Sequence, residues 1–373
     1  MALKDTLLAA SIGATMVAGT HADTPQSVAS STKPAQTRSM SKAELQEINF
    51  KKKYQHLYKN VDGAWFSFGD EKKMRQALYD IGSFPMGREV IAGLPENMEF
   101  CSSNMPPFKT TDGNGNTQKD TYGGFYHLFS NVLIMNTDVL GKEFESYSLT
   151  HPTDFIFHEL LHAYQKQQGI TLLNNPSVDE SMHSQKLIEA EAFGWTRVLA
   201  ATRVITNGNY YMTPYEVKDL MQRDLVGDVR HFFEATGRSF NEQEFKQSDP
   251  AYQLQQALIA CKGNYDLAQK KVVGQIIKER MTNCKDKQWR DAYEHQAFEV
   301  TKTLSQAGQL SKNGDPQAYQ KMLQYYQDRY GLTPGDIKLT LNAYQQKRVN
   351  DLKKERGESP VSNLQIHRKN IGR

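Results

Sequence analysis

The sequence predicts an α+β protein: a small sheet packed on a histidine-bearing helix, followed by a mostly α-helical C-terminal region. Three observations lead there. Residues 122–136 hold an apolar, aromatic and β-branched run without proline, which reads as a strand or hairpin. Residues 153–168 carry two histidines at helical spacing beside an apolar stripe. Beyond residue 210, strand-like alternation disappears and helix-start signals recur.

The elements follow in chain order. Residues 1–22 have a short charged start, a mildly apolar stretch and a small residue, Ala22, at the end. That is the outline of a secretory signal peptide. On that reading the protein is exported, to the outside or a periplasm; without it the protein is cytoplasmic. Residues 23–40 are rich in Ser, Thr, Pro, Gln and Ala and read as a flexible linker. Ser41 and Glu44 have capping-box spacing and open a helix to about residue 59. Short helical pieces follow at 71–79 and 85–94, a strand at 96–102, and a Gly/Asn/Asp loop at 110–121. The motif helix spans 153–168 and ends near Gly169. Ser177 and Glu180 form a second capping box, opening a helix to about residue 205.

Thr213-Pro214, Asp249-Pro250 and Asp315-Pro316 each pair an N-cap with proline at the first helical position. Residues 206–350 therefore read as a helical region behind a first domain at 41–205. Residues 351–373 read as a basic flexible tail, with the basic positions from Lys347 onward a solvated helix end.

Composition bounds the function. The 373 residues carry 45 basic against 42 acidic side chains, a net charge of +3. That field is too weak to suggest a nucleic-acid partner. The longest apolar runs, such as 132–135, are too short to span a bilayer. Three cysteines exclude a disulfide scaffold and a four-thiolate zinc site. Cys261 and Cys284 are able to pair if the protein is exported; as free thiols they are small core residues.

His158-Glu159-Leu160-Leu161-His162 has the pattern H-E-x-x-H. Residues four apart share a helix face, so both imidazoles reach one cation. With His158 at 0° on a helical wheel, His162 falls near 40° and Glu159 near 100°. Ile156, Phe157, Leu160, Leu161 and Tyr164 cover roughly 160–300°, which separates the histidine face from the buried stripe. A third ligand is needed, and the next helix offers Glu189 and Glu191. They lie about 200° apart, so only one can face the metal, and the wheel does not decide which. His127 and His151 read as structural histidines.

At these residues the chain resembles the zincin metallopeptidases, the gluzincin branch in particular. There a glutamate from a following helix is the third ligand. His158 to Gln165 also resembles the motif helix of uncharacterised bacterial metallopeptidases. Glu189-x-x-Ala192 is similar to the E-x-x-A ligand pattern of membrane-associated CAAX-protease-like zincins, which favours Glu189 and keeps Glu191 as fallback. The next position, often aspartate in that family, is Phe193 here, so one partner expected to orient a ligand histidine is missing. The metzincin extension is absent, since Gln165 and Gln168 stand in its place. The resemblance covers about residues 95–200.

The resemblance implies a zincin-like domain and one Zn²⁺ held by His158, His162 and Glu189. It implies hydrolysis of protein or peptide substrates through a zinc-activated water, with Glu159 as general base. The run at 125–136 would be the sheet's edge strand, suited to binding an extended peptide. Zincins add a Tyr, His or Arg for the oxyanion; His183, His231, Tyr210, Tyr211 and Arg197 are eligible. The alternative is a catalytically inactive zincin-fold binding protein acting through its helical C-terminal region. Nothing in the sequence indicates an oligomeric state.

Overall fold

The computed structural model describes residues 49–359, apart from 51, 60–69, 105–107, 112–116, 121–123, 128–130, 138–150, 173–174, 207 and 283–286. The expected leader, the linker, the Ser41 capping box, the basic tail beyond 359 and Cys284 lie outside these residues. The fold is α+β and mostly helical, with a small three-stranded sheet. Among the described residues three helices come first: α1 (Gln55–Lys59), α2 (Asp70–Ser83) and α3 (Pro85–Ala92).

Five strands follow among the described residues: β1 (Glu99–Ser103), β2 (Phe108–Thr111), β3 (Thr117–Asp120), β4 (Gly124–His127) and β5 (Val132–Asn136). The sheet has the order β1-β5-β4, with β1 parallel and β4 antiparallel to β5. β4 is thus an edge strand among the described residues. The register puts Phe100 opposite Leu133, Ser102 opposite Met135 and Tyr126 opposite Leu133. All five are buried, so these alternate positions form the inner face. The segment expected as a loop at 110–121 differs: β2 and β3 pair antiparallel in a separate ribbon. β-branched Thr110, Thr111 and Thr117 stand in its two strands, on either side of the Gly/Asn/Asp stretch, which lies outside the described residues.

The motif helix α4 (Pro152–Gln167) packs on β4 and β5. His151 caps it through Nδ1, which accepts from the Thr153 N–H at 3.3 Å, and Pro152 stands at the first position. Burial lowers the His151 pKa to about 4, which keeps the ring neutral and able to accept. The long helix α5 (Val178–Ile205) starts with both capping-box bonds of Ser177 and Glu180 formed. A cap of this kind is worth about 1 kcal/mol. At the far end of α5, Arg203 pairs with Asp154 at 2.9 Å. Leu172 N–H meets Ser184 near the start of α5, so α4 and α5 run antiparallel.

The remainder is helical: α6 (Pro214–Gln222), α7 (Leu225–Ala235), α8 (Glu242–Ser248), α9 (Pro250–Ala260), α10 (Tyr265–Thr282), α11 (Lys287–Gln306), α12 (Pro316–Tyr330) and α13 (Ala343–Glu355). The caps expected at Thr213, Asp249 and Asp315 all accept backbone N–H bonds. Helices α9, α10 and α11 pack around α5, together with α4. One cluster of buried apolar side chains runs from Leu57 to Leu352, so residues on both sides of 206 share a core. A small second cluster forms around Val229, Phe233 and Phe245. The basic helix end differs from a solvated one. Lys353 is buried and pairs with Asp179, and Arg348 pairs with Glu299 at 2.5 Å. Cys261 is a free thiol in the core. Among the described residues no helix is long and apolar enough to cross a membrane.

Candidate metal centre

The site grows from the α4–α5 contact. His158 and His162 stand one turn apart on α4, their ring centroids 4.8 Å apart and nearly perpendicular. Glu189 approaches from α5. Its Oε2 lies 3.3 Å from His158 Nε2, and its Oε1 lies 3.4 Å from His162 Nε2. The two Nε2 atoms are 3.2 Å apart. Ligands held about 2.0–2.1 Å from a tetrahedral ion lie roughly 3.3–3.4 Å from one another. The Nε2–Nε2 gap and each histidine's approach to a Glu189 oxygen fall near that edge length, the two histidines meeting different oxygens of the carboxylate. This trio is the group of His, Cys, Asp and Glu residues able to hold a metal ion among the described residues.

The hydrogen-bond network fixes the His162 tautomer. His162 Nδ1 lies 2.9 Å from Gln165 Oε1. Gln165 Nε2 spends its two protons on Ile188 C=O at 3.0 Å and Glu191 Oε2 at 2.9 Å. Both partners only accept, so the amide orientation is set and its oxygen faces the imidazole. His162 Nδ1 must then donate, which leaves the Nε2 lone pair directed at His158 and Glu189. This answers the gap left by Phe193. The orienting group is Gln165, one turn beyond His162, and not the residue at 193. Its sequence signal was the i+3 spacing from His162.

Glu191 is not in the trio. Its Oε1 accepts from Tyr325 at 2.8 Å and Tyr330 at 2.5 Å, and its Oε2 from Tyr326 at 3.3 Å and Gln165 at 2.9 Å. The three tyrosines lie on α12. Burial and the neighbouring carboxylate push their pKa values well up, so they stay protonated donors. Gly331, at φ +70°, closes α12 directly after Tyr330 in a conformation that suits glycine.

Glu189 accepts from Gln296 Nε2 of α11 at 2.8 Å. Burial alone would raise its pKa, but His162, His158 and Arg280 outweigh that and lower it. Burial would likewise lower His158; its bond to Glu189 and the charge of Glu159 reverse the sign. The two shifts share one cause: His158 and Glu189 each favour the charged form of the other.

Glu159 faces the sheet. Its Oε2 accepts from the Tyr126 N–H of β4 at 2.9 Å, which ties the carboxylate to the edge strand beside the histidines. Among the candidate oxyanion partners, His183 is excluded. Its two ring nitrogens are taken by Tyr319 Oη and Ile337 C=O, both at 2.5 Å, and burial lowers its pKa to about 4. Tyr210 is buried beside Thr153 and Asp154. Tyr211 lines a different cavity of about 550 Å³ with Val217, Met221 and Tyr265. His231 is exposed on α7, next to the second cluster. Arg197 lies on the partly exposed face of α5, with its guanidinium 5.4 Å from the Phe193 ring. The side chain of His127 is outside the described residues.

No family model, curated protein or solved structure matches this chain.

Proposed function

We propose that the protein is a zinc-dependent metallopeptidase, with one Zn²⁺ held by His158, His162 and Glu189 and with Glu159 as general base. The observation carrying this reading is the convergence of His158, His162 and Glu189, one ligand atom from each within 4.8 Å of the others, with the His162 lone pair aimed inward by Gln165. Two imidazoles and one carboxylate from antiparallel helices suit zinc, and three protein ligands are the number found at catalytic sites. When bound, zinc supplies Lewis acidity toward a carbonyl and lowers the pKa of water toward neutrality.

The chain's own residues do the rest. Glu159 takes a proton from the attacking water and returns it to the leaving amine. The Tyr126 N–H holds one carboxylate oxygen, leaving Oε1 for that work. Edge strand β4 brings extended backbone up to Glu159, which suits a peptide lying alongside it. Gln165 keeps His162 in the ligating tautomer, and Gln296 orients Glu189.

Metal analysis by mass spectrometry tests the reading. Wild type should carry one zinc per chain, and Glu159→Gln should keep it. Peptide cleavage by that variant should fall roughly 10²–10⁴-fold, the usual contribution of a general base. Wild-type protein without stoichiometric zinc would sink the proposal. Bound zinc with no turnover across a broad peptide mixture would favour the inactive binding protein instead.

A further inference from the structure

Six large apolar side chains are exposed among the described residues, and four of them border two clefts that share Met221. Tyr211 lines the first cleft and Ile259 the second. Tyr215 and Leu267 directly follow Pro214 and Asp266, which line the first. Single apolar residues scattered on a surface need no explanation, whereas a gathering of them marks a contact.

The first cleft holds about 550 Å³, within the ordinary range of binding pockets. It lies between α6, the turn joining α9 to α10, and the start of α3. Its apolar wall is formed by Tyr211, Met212, Val217, Met221 and Tyr265. Pro214, Val217, Lys218 and Met221 have helical spacing, so one face of α6 makes that side. Gly263, at φ +80°, lets the opposite turn close in: a Cβ there would lie 3.5 Å from Met221 Sδ. Tyrosine and methionine are enriched where proteins meet, and methionine repacks around different side chains.

Lys218 and Lys262 stand on the rim, both exposed. Neither forms an ion pair among the described residues, and Asp266, the single acid of the lining, pairs with neither. An apolar hollow beneath two unpaired ammonium groups is complementary to an apolar side chain flanked by carboxylates. A flat bilayer would leave the hollow unfilled, whereas a protruding side chain fills it. The cleft is remote from the metal centre. Tyr265 Oη shares a 2.7 Å hydrogen bond with Thr202, which lies thirteen residues past Glu189. That is about 20 Å along α5.

We propose that this cleft is a docking site for an acidic peptide segment of a partner protein. One large apolar side chain of the segment sits between Tyr211, Met221 and Tyr265, and its flanking carboxylates meet Lys218 and Lys262. The site is separate from the metal centre and does not depend on the zinc reading.

Selection of random phage-displayed peptides on immobilised full-length protein tests it. Enriched sequences should carry a large apolar residue with Asp or Glu beside it. A labelled synthetic copy, followed by fluorescence anisotropy, should bind roughly tenfold or more weakly to Tyr211→Ala and to the double variant Lys218→Glu, Lys262→Glu. Exchanging the acids of the copy for lysine should restore binding to the double variant. All three substituted side chains are exposed, so the fold should persist, as circular dichroism checks. No enrichment, or enrichment of sequences without acids, overturns the inference. A copy that binds these variants as tightly as wild type overturns it too. Binding to phosphatidylcholine–phosphatidylserine vesicles through the same residues, with no peptide selected, assigns the face to a membrane and also overturns it.

Discussion

Two buried glutamates, two residues apart on α5, have opposite surroundings. Glu189 faces two imidazole nitrogens and accepts from the Gln296 amide. Glu191 accepts from three tyrosine hydroxyls and one amide, with Arg329 Nε at 3.9 Å from its Oε1. Burial is similar, so burial does not distinguish a ligand from a support. The partners do. A carboxylate saturated by hydroxyl donors has little to offer a cation, whereas one facing imidazole nitrogens forms a cation-sized gap with them. The two regions are also joined. Gln165 bonds Glu191 on one side and His162 on the other, so the α12 cluster acts on the candidate centre through one side chain.

The sharpest way to break this comparison is to exchange the roles. Glu189→Ala should reduce zinc affinity by more than the roughly 10–100-fold typical of outer partners, because a ligand is lost. A zinc titration monitored by a competing chelator reads this, and unchanged affinity would remove Glu189 from the ligand set. Glu191→Ala should act mainly on stability. It leaves buried hydroxyls without an acceptor and should cost about 3–5 kcal/mol in denaturant unfolding of the metal-free protein. If zinc affinity fell while stability held, the assignment of the two glutamates would need reversing. Gln165→Ala should give the smallest effect, lowering zinc affinity roughly 10–100-fold at a stability cost of about 1–3 kcal/mol. Restoration of affinity by Gln165→Glu, which keeps an acceptor for His162 Nδ1, would separate orientation from packing.

Much of the frame was legible in the chain. The helices opened by Ser177, Thr213, Asp249 and Asp315 begin where their caps predict, because a cap and its bonds lie within four residues. The antiparallel pair β4–β5 and the motif helix follow from local periodicity for the same reason. The β2–β3 ribbon was missed because a Gly- and Asn-rich stretch reads as a loop whether or not its arms pair. The burial of Lys353 was missed because its partner, Asp179, is 174 positions away. Gln296 and the α12 tyrosines were invisible as parts of the site for the same cause.

By itself, the sequence determined the local chemistry: two histidines and a glutamate at i, i+1 and i+4, which any α-helix sets in one relative arrangement. It also narrowed the third candidate ligand to two glutamates on the next helix. Only the tertiary structure decided between them, because the choice depends on which partners crowd each side of α5. A helical wheel gives directions around one axis; the hydroxyls of α12, the amide of α11 and the imidazoles of α4 give those directions their meaning.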